Sequence, residues 1–385
     1  MLGRMTPAAR SEIPGGSERG GQPMLPDYGG ACLSNVVPAL LHRNHAPVPA
    51  WLPAGVAGAE QVVLLVLDGL GFEQLSERRA LAPALAGLVG GAITSVAPTT
   101  TAAALTSLAT GRTPSQHGIV GYRIALGHNV LNVLRWSTPT GDARTRFPPT
   151  DFQPIPPFLG EHHPVVSRAE FAQTGFTDAH LAGARLEGWR VVSSLPVEVG
   201  AELAKGESFV YAYYDGIDKV AHEKGLGDHY DAELRAVDHL VEDVLAVLPP
   251  GAVLVVTADH GQIEVRTPPI VLDASVVDEV VLFSGEGRFR WLHVEAGRRE
   301  IVAARCHDLY GDVAWVRTRD EIVAEQWLGP VPTSEIERRL GDVALVAREP
   351  VAFFDPSDTG ELRLIARHGS LTSAELLIPL LAGTP

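Results

Sequence analysis

Three apolar runs stand out along the chain: Val62–Leu67, the aromatic stretch Ser208–Tyr214, and Ala252–Thr257. A run without polar alternation suits a strand buried on both faces, as in a parallel sheet covered by helices. Each run ends in acid: Asp68-Gly69, Asp215-Gly216 and Ala258-Asp259-His260-Gly261. Between them the pattern turns helical. Ala102–Thr110 is a run of good helix formers after Pro98-Thr99-Thr100-Thr101, and Gly111 can close it as a left-handed cap. Over Tyr230–Val247, Leu234, Val237, Leu240, Val241, Val244 and Val247 make one apolar stripe. A helix is expected at Leu81–Val89, a strand at Ala92–Ala97, strand-loop-helix at Val165–Gly188, and a helix ending over Leu203–Gly206. Strands alternating with helices predict an α/β fold: a doubly wound, mostly parallel sheet with helices on both faces.

The texture changes from 275 to 365. Short strand-like pieces (Val280–Phe283, Arg288–Val294, Val313–Val316, Ala344–Ala347, Val351–Phe354) alternate with two helices, Arg298–Tyr310 and Thr333–Leu340. This reads as a smaller α+β insert or cap on a catalytic core made of 27–274 and 366–385. Leu371–Leu381 returns the chain to that core. Tyr28–Pro53 reads as a leading segment wrapped on the core, and the Pro-rich stretch 124–165 as irregular chain. Residues 1–26 are rich in Gly, Pro, Ser and Arg, which predicts a disordered N-terminal segment. They lack the apolar core of a secretory signal, so a cytoplasmic protein is expected, with Met24 a second candidate start.

Composition narrows the partners. The net charge is −15, which argues against a surface that tracks nucleic-acid phosphates, so no stable nucleic-acid complex is expected. No apolar run reaches membrane-spanning length, so no membrane association is expected. The two cysteines, Cys32 and Cys306, make neither a disulfide framework nor a CxxC site. An acidic protein that handles phosphate needs local positive charge, which bound metal supplies.

The residues able to hold metal recur at strand ends: Asp68, Asp218, His222, Asp259, His260 and, near the C-terminus, His368. Asp218 and His222 are four apart, so on a helical turn they share a face and can grip one ion. Three carboxylates and three imidazoles suit two zinc-like ions. Two ions about 4 Å apart can clamp the attacking and leaving oxygens of an in-line displacement at phosphorus. One of the three threonines sits at a helix N-terminus, where free N–H groups favour an anion such as phosphate. It is the candidate nucleophile.

In this order the blocks resemble the alkaline phosphatase superfamily, and most of all its nucleotide pyrophosphatase/phosphodiesterase branch. They are Val66-Leu67-Asp68-Gly69, Pro98-Thr99-Thr100-Thr101 with Thr110-Gly111, Pro114-Ser115-Gln116-His117-Gly118-Ile119-Val120-Gly121, Asp218-x-x-x-His222, Thr257-Ala258-Asp259-His260-Gly261 and His368-Gly369. The resemblance implies Asp68, Asp259 and His260 as ligands of one zinc, and Asp218, His222 and His368 as ligands of the other. It implies Thr101 as nucleophile and as a further metal contact, since Thr110-Gly111 follows nine residues on, with Thr100 as the alternative register. Relatives that cleave nucleotides carry an asparagine where this chain has Tyr122, and an aromatic residue where it has Ala102. Tyr122 and Arg123 are therefore the expected phosphate-binding pair. The implied activity is hydrolysis of a small phosphate ester through a phospho-threonine intermediate, in EC class 3.1, with a phosphodiester or nucleotide pyrophosphate preferred. A phosphomonoesterase or phosphonate hydrolase is the alternative, favoured by a second basic group such as Arg123 or Arg135. A metal-stabilised binding protein is the non-enzymatic alternative.

Overall fold

The computed structural model describes residues 21–385 except Ala46. Its centre is a seven-stranded sheet in the order Val89–Thr94, Leu377–Gly383, Ala252–Thr257, Gln61–Leu67, Phe209–Tyr214, Pro164–Arg168, Arg185–Trp189. Only Leu377–Gly383 runs against its neighbours. The three apolar runs of the sequence are adjacent strands, and Val66 lies beside both Thr257 and Tyr213. Their C-terminal ends are therefore level. Every residue from Val62 to Leu67 and from Ala252 to Thr257 is buried, because helices cover both faces of the sheet. Burying one such Val or Leu is worth roughly 1.5–3 kcal/mol. The Asp228–Ala246 helix lays its stripe, from Tyr230 to Val244, onto this core.

The Thr101–Thr110 helix has no polar face. Every residue after Thr101 is buried, and Gly111 closes it at φ 67°. Its polar groups are satisfied locally. The Thr106 and Thr110 hydroxyls donate to the carbonyls of Ala102 and Thr106, at 2.7 and 2.6 Å, and Ser107 Oγ meets His117 Nε2 at 2.8 Å. Such an embedded helix holds its first residue firmly.

Residues 280–347 form a second, four-stranded antiparallel sheet in the order Val280–Glu286, Phe289–Val294, Val343–Ala347, Ala314–Thr318. Its alternation serves two cores. Phe289, Trp291, Ala344 and Val346 join the main core. Leu292, Val343, Leu345 and Ala347 face Val302, Cys306 and Tyr310 of the Arg299–Tyr310 helix and make a second one.

Several local expectations are corrected. Leu81–Val89 is not one helix: Pro83–Gly87 is helical, and Val89 already begins a strand paired with Leu377–Gly383. Pro83 keeps Ala82 out of the helical region, and from Val89 on the sheet pairing prevails. Ala92–Ala97 accordingly stops at Thr94. Leu181–Gly188 is not helical; Arg185–Trp189 is an edge strand. The Pro-rich stretch contains an antiparallel meander, Arg123–Leu126, Asn129–Asn132, Ser137–Thr138 and Gly141–Asp142. Thr333–Leu340 yields only the helix Ser334–Glu337. Val351–Phe354 gives a single bridge, Ile270 to Phe353. Of the N-terminal segment read as disordered, residues 1–20 lie outside the described residues, while Met24 donates its N–H to Leu371 O. Among the described residues no helix is long and apolar enough to cross a membrane.

Candidate active site

The level strand ends bring the acids together. Asp68 follows Gln61–Leu67, and its N–H donates to Tyr214 O of the next strand. Its Oδ2 accepts the Tyr213 hydroxyl. Asp259 follows Ala252–Thr257 on the other side. Its Oδ1 accepts the N–H groups of Gly69 and His260, both at 3.0 Å. Gly69 has φ +75°, and a side chain there would press on the Asp218 backbone at 3.0 Å, so the turn requires glycine. His260 is fully buried. Its Nε2 lies 3.3 Å from Asp259 Oδ2 and 3.7 Å from Asp68 Oδ1.

A second set adjoins the first. Asp218 sits in the first turn of the Gly216–Lys224 helix, its N–H held by Asp68 O at 3.1 Å. Its Oδ1 lies 3.2 Å from His222 Nε2 and 4.0 Å from His368 Nε2. The rings of His260 and His368 stack with centroids 3.6 Å apart. The Nδ1 atoms are occupied elsewhere: His222 on Ala366 O, His260 on Gly261 O, and His368 on Thr99 O, at 2.8, 3.1 and 2.8 Å. A carbonyl partner fixes a donating Nδ1 and leaves Nε2 as the lone-pair atom facing the site, the arrangement of a metal-ligating histidine.

The donor set fits divalent cations. Asp68 Oδ1 and Asp259 Oδ2 are buried without a hydrogen-bond partner, an arrangement that is costly unless a cation faces them. Burial, then the Asp259 and Asp218 charges, holds the Asp68 carboxyl well above the usual carboxylate range. Burial likewise raises Asp218 and pushes His368 well below an ordinary imidazole, so His368 is neutral. Two groups have ligand atoms within 4.8 Å of one another: Asp68, Asp259 and His260, and Asp218, His260 and His368. His222 joins the second through Asp218.

Thr101 faces both groups. It opens the Thr101–Thr110 helix, and its Oγ1 is 3.1 Å from His260 Nε2. Thr100 is the N-cap, yet its side chain makes no capping bond. Thr99 is engaged away from the acids. Its hydroxyl donates to Ser370 O at 2.7 Å and accepts Gly369 N–H at 3.0 Å. The threonine run thus clasps the His368 loop.

Two clefts meet here, sharing Thr101, Leu134 and Asp218 on their walls. One, about 310 Å³, is lined by Thr100, Tyr122, Arg135, Glu286 and Arg367 among others. The other, about 250 Å³, is mostly apolar. Tyr122 reaches the first, its hydroxyl accepting Asn132 Nδ2–H at 2.7 Å. Arg123 lines neither cleft. Its guanidinium contacts Asp355 and Asp358, both at 3.1 Å, and Ser357 Oγ at 2.7 Å. The phosphate contact expected of Arg123 is thus replaced by an internal ion-pair cluster; the exposed cation at the cleft is Arg135. The sequence reading missed Tyr213 and also Gln262, whose Nε2 donates to Asp218 Oδ1 at 2.9 Å. Gln262 directly follows the Asp-His-Gly block, which was its one available signal.

The family model for type I phosphodiesterase / nucleotide pyrophosphatase matches residues 62–184 and 184–371. Among solved structures the fold is similar to murine ectonucleotide pyrophosphatase / phosphodiesterase 5, with TM-score 0.62 and 16% identity over 84% of this chain and 88% of that one. The human protein of that name gives TM-score 0.62 and 15% identity, over 84% and 88%. A phosphonoacetate hydrolase from Sinorhizobium meliloti, in complex with phosphonoformate, gives TM-score 0.60 and 18% identity, over 85% and 91%. No curated protein matches the chain by sequence.

Proposed function

Because the chain belongs to the type I phosphodiesterase / nucleotide pyrophosphatase family of phosphoryl hydrolases, we propose that it is a two-zinc phosphodiesterase with Thr101 as nucleophile. The observation that carries this reading is the Thr101 hydroxyl, 3.1 Å from His260 Nε2 at an uncapped helix N-terminus. Asp68, Asp259 and His260, with Thr101, would hold one ion; Asp218, His222 and His368 would hold the other. Bound there, the ions would supply the positive charge that lowers the pKa of the threonine hydroxyl and offsets charge building on phosphorus oxygens.

The protein's own groups do the rest. Thr101 Oγ1 forms a bond to phosphorus as the bond to the departing ester oxygen breaks. Free N–H groups in the first turn of Thr101–Thr110 orient a non-bridging phosphate oxygen. The buried helix holds the nucleophile in line. Water then cleaves the P–Oγ1 bond, releases phosphate monoester and restores the hydroxyl. Tyr122 and Arg135 line the cleft of about 310 Å³ and would face the retained or departing group.

Hydrolysis of bis(4-nitrophenyl) phosphate against 4-nitrophenyl phosphate tests the reading, after chelation and again with zinc restored. Diester turnover that depends on restored zinc and exceeds monoester turnover supports it. Arg135 at the cleft favours a monoesterase or phosphonate hydrolase as the second reading, and monoester turnover far above diester would install it.

A further inference from the structure

Asp218, His222 and His368 come from two distant parts of the chain, yet one small ribbon meets all three. Ile263–Glu264 pairs antiparallel with Ala366–Arg367, with Ile263 opposite Arg367. Continuing that register sets Gln262 opposite His368. His222 is tied to the same ribbon. Its Nδ1 bonds Ala366 O at 2.8 Å, and its carbonyl accepts Ile365 N–H at 2.8 Å. Asp218 is reached by the Gln262 side chain, whose Nε2 donates to Oδ1 at 2.9 Å. That same oxygen lies 3.2 Å from His222 Nε2.

Packing alone does not explain a glutamine here. Gln262 is fully buried, and its Oε1 has no hydrogen-bond partner. An unpaired buried carbonyl is costly, and an apolar side chain would avoid that cost. What the amide gains is the bond to Asp218. The reverse orientation would set Oε1 against a carboxylate oxygen, so the partner fixes which way the amide points. Room is kept for it as well: a Cβ on Gly69 would overlap Gln262 Nε2. Gln74 Nε2 donates to the Gln262 carbonyl and steadies the backbone. The other group of acids is supported by different donors. Tyr213 donates to Asp68, and the N–H groups of Gly69 and His260 donate to Asp259.

Resting on the two-ion reading above, we propose that Gln262 is a positioning residue for one ion alone, the one assigned to Asp218, His222 and His368. Its amide holds Asp218 Oδ1 in place before metal arrives. A ligand held in advance loses less freedom when the ion binds. The two ions then have separate supports, Tyr213 through Asp68 and Gln262 through Asp218, and each can be weakened without the other.

Zinc titration of the full chain in competition with a chromogenic chelator tests this. The wild-type chain should take up two ions. Gln262→Met, similar in length and without a donor, should weaken one of them about 10- to 100-fold and leave the other unchanged. Gln262→Asn keeps an amide but draws it back by one methylene, and should do the same. In a His222→Ala background, where the affected ion has already lost a ligand, adding Gln262→Met should leave the remaining tight ion unchanged. A residue that served packing alone would weaken both ions together or neither. Two ions in the wild type, with both unchanged or both weakened alike in the Gln262 variants, overturns the assignment and leaves the two-ion reading standing. Full affinity in Gln262→Asn overturns it in the same way. Fewer than two ions in the wild-type chain overturns both.

Discussion

The central sheet and the inserted sheet bury similar residues in different ways. Val62–Leu67 and Ala252–Thr257 are buried along their whole length, and the reactive groups begin only where the strands stop. The inserted sheet alternates between two cores and contributes cleft wall, chiefly Glu286 and Arg288. The candidate metal-ligating side chains gather where parallel strands end together, because the sheet holds those ends level. An antiparallel sheet has no comparable row of ends. The seam between the regions is cationic. Arg288 reaches Glu375, Arg339 reaches Gly118 O and Phe152 O, and Arg123 reaches back to Asp355 and Asp358.

The strongest test separates chemistry from scaffold on the core side. Thr101→Ala should lower kcat for the diester by on the order of 10³ or more. The helix should survive, since Thr101 is its least buried residue and alanine is a good helix former. Steady-state kinetics with circular dichroism and metal content checks this. Full retained diesterase activity would sink the nucleophile assignment.

The seam comes next. Arg288 and Glu375 are both fully buried and bidentately paired, with both contacts at 2.7 Å. Arg288→Ala should cost about 3–5 kcal/mol, because it strands the Glu375 carboxylate. Urea unfolding would measure it. Arg288→Met with Glu375→Leu should recover most of the loss, since neither charge is then left buried alone. A cheap single and an expensive double would mean that the two regions are held by apolar packing instead.

Legibility in the sequence follows the same division. Asp68, Asp259 and His260 stood out because unbroken apolar runs end at them, and a parallel sheet aligns such ends. Asp218 was legible from its four-residue spacing to His222, and His368 stood among the candidates, but their division between two ions needed the family pattern, since nothing local predicts that Asp68 O and Thr99 O hold them. Arg123 was misplaced because its position beside Tyr122 says nothing of where a long side chain reaches. Its partners come 232 and 235 residues later. The edge strand Arg185–Trp189 was lost because half-exposed edges carry little apolar signal. Tyr213 was hidden for a different reason: a strand pattern assigns a face to a side chain and leaves its contact open.

Tyr213 marks where core packing passes into site chemistry. Its hydroxyl orients Asp68 Oδ2, so on the proposed two-zinc reading Tyr213→Phe should weaken metal binding about 10- to 100-fold while leaving the ring packed. Competition with a chromogenic chelator reads the affinity directly. Unchanged affinity would make Tyr213 a core residue only.

The smallest effect compares the two regions in acid. His117 of the core is buried beside Arg339, and burial, then that charge, lowers its pKa from 6.5 to about 3. His293 of the inserted sheet, hydrogen-bonded to Ser284 Oγ at 2.8 Å, is lowered to about 4, chiefly by burial. Well above pH 6.5 both imidazoles are neutral whether the chain is folded or not. As the pH falls below that value, the unfolded chain binds protons that the folded chain refuses. Stability then drops by about 1.4 kcal/mol per pH unit for each histidine, until the folded imidazole titrates as well. Urea midpoints taken between about pH 7 and about pH 5 should fall in the wild-type chain. His117→Asn and His293→Asn should each flatten the slope by one histidine's share, and the double variant by the sum, since the two sit in separate regions. If His117→Asn alone removed the whole slope, acid sensitivity would belong to the core and its seam, and the inserted sheet would be titrating as a passive wall.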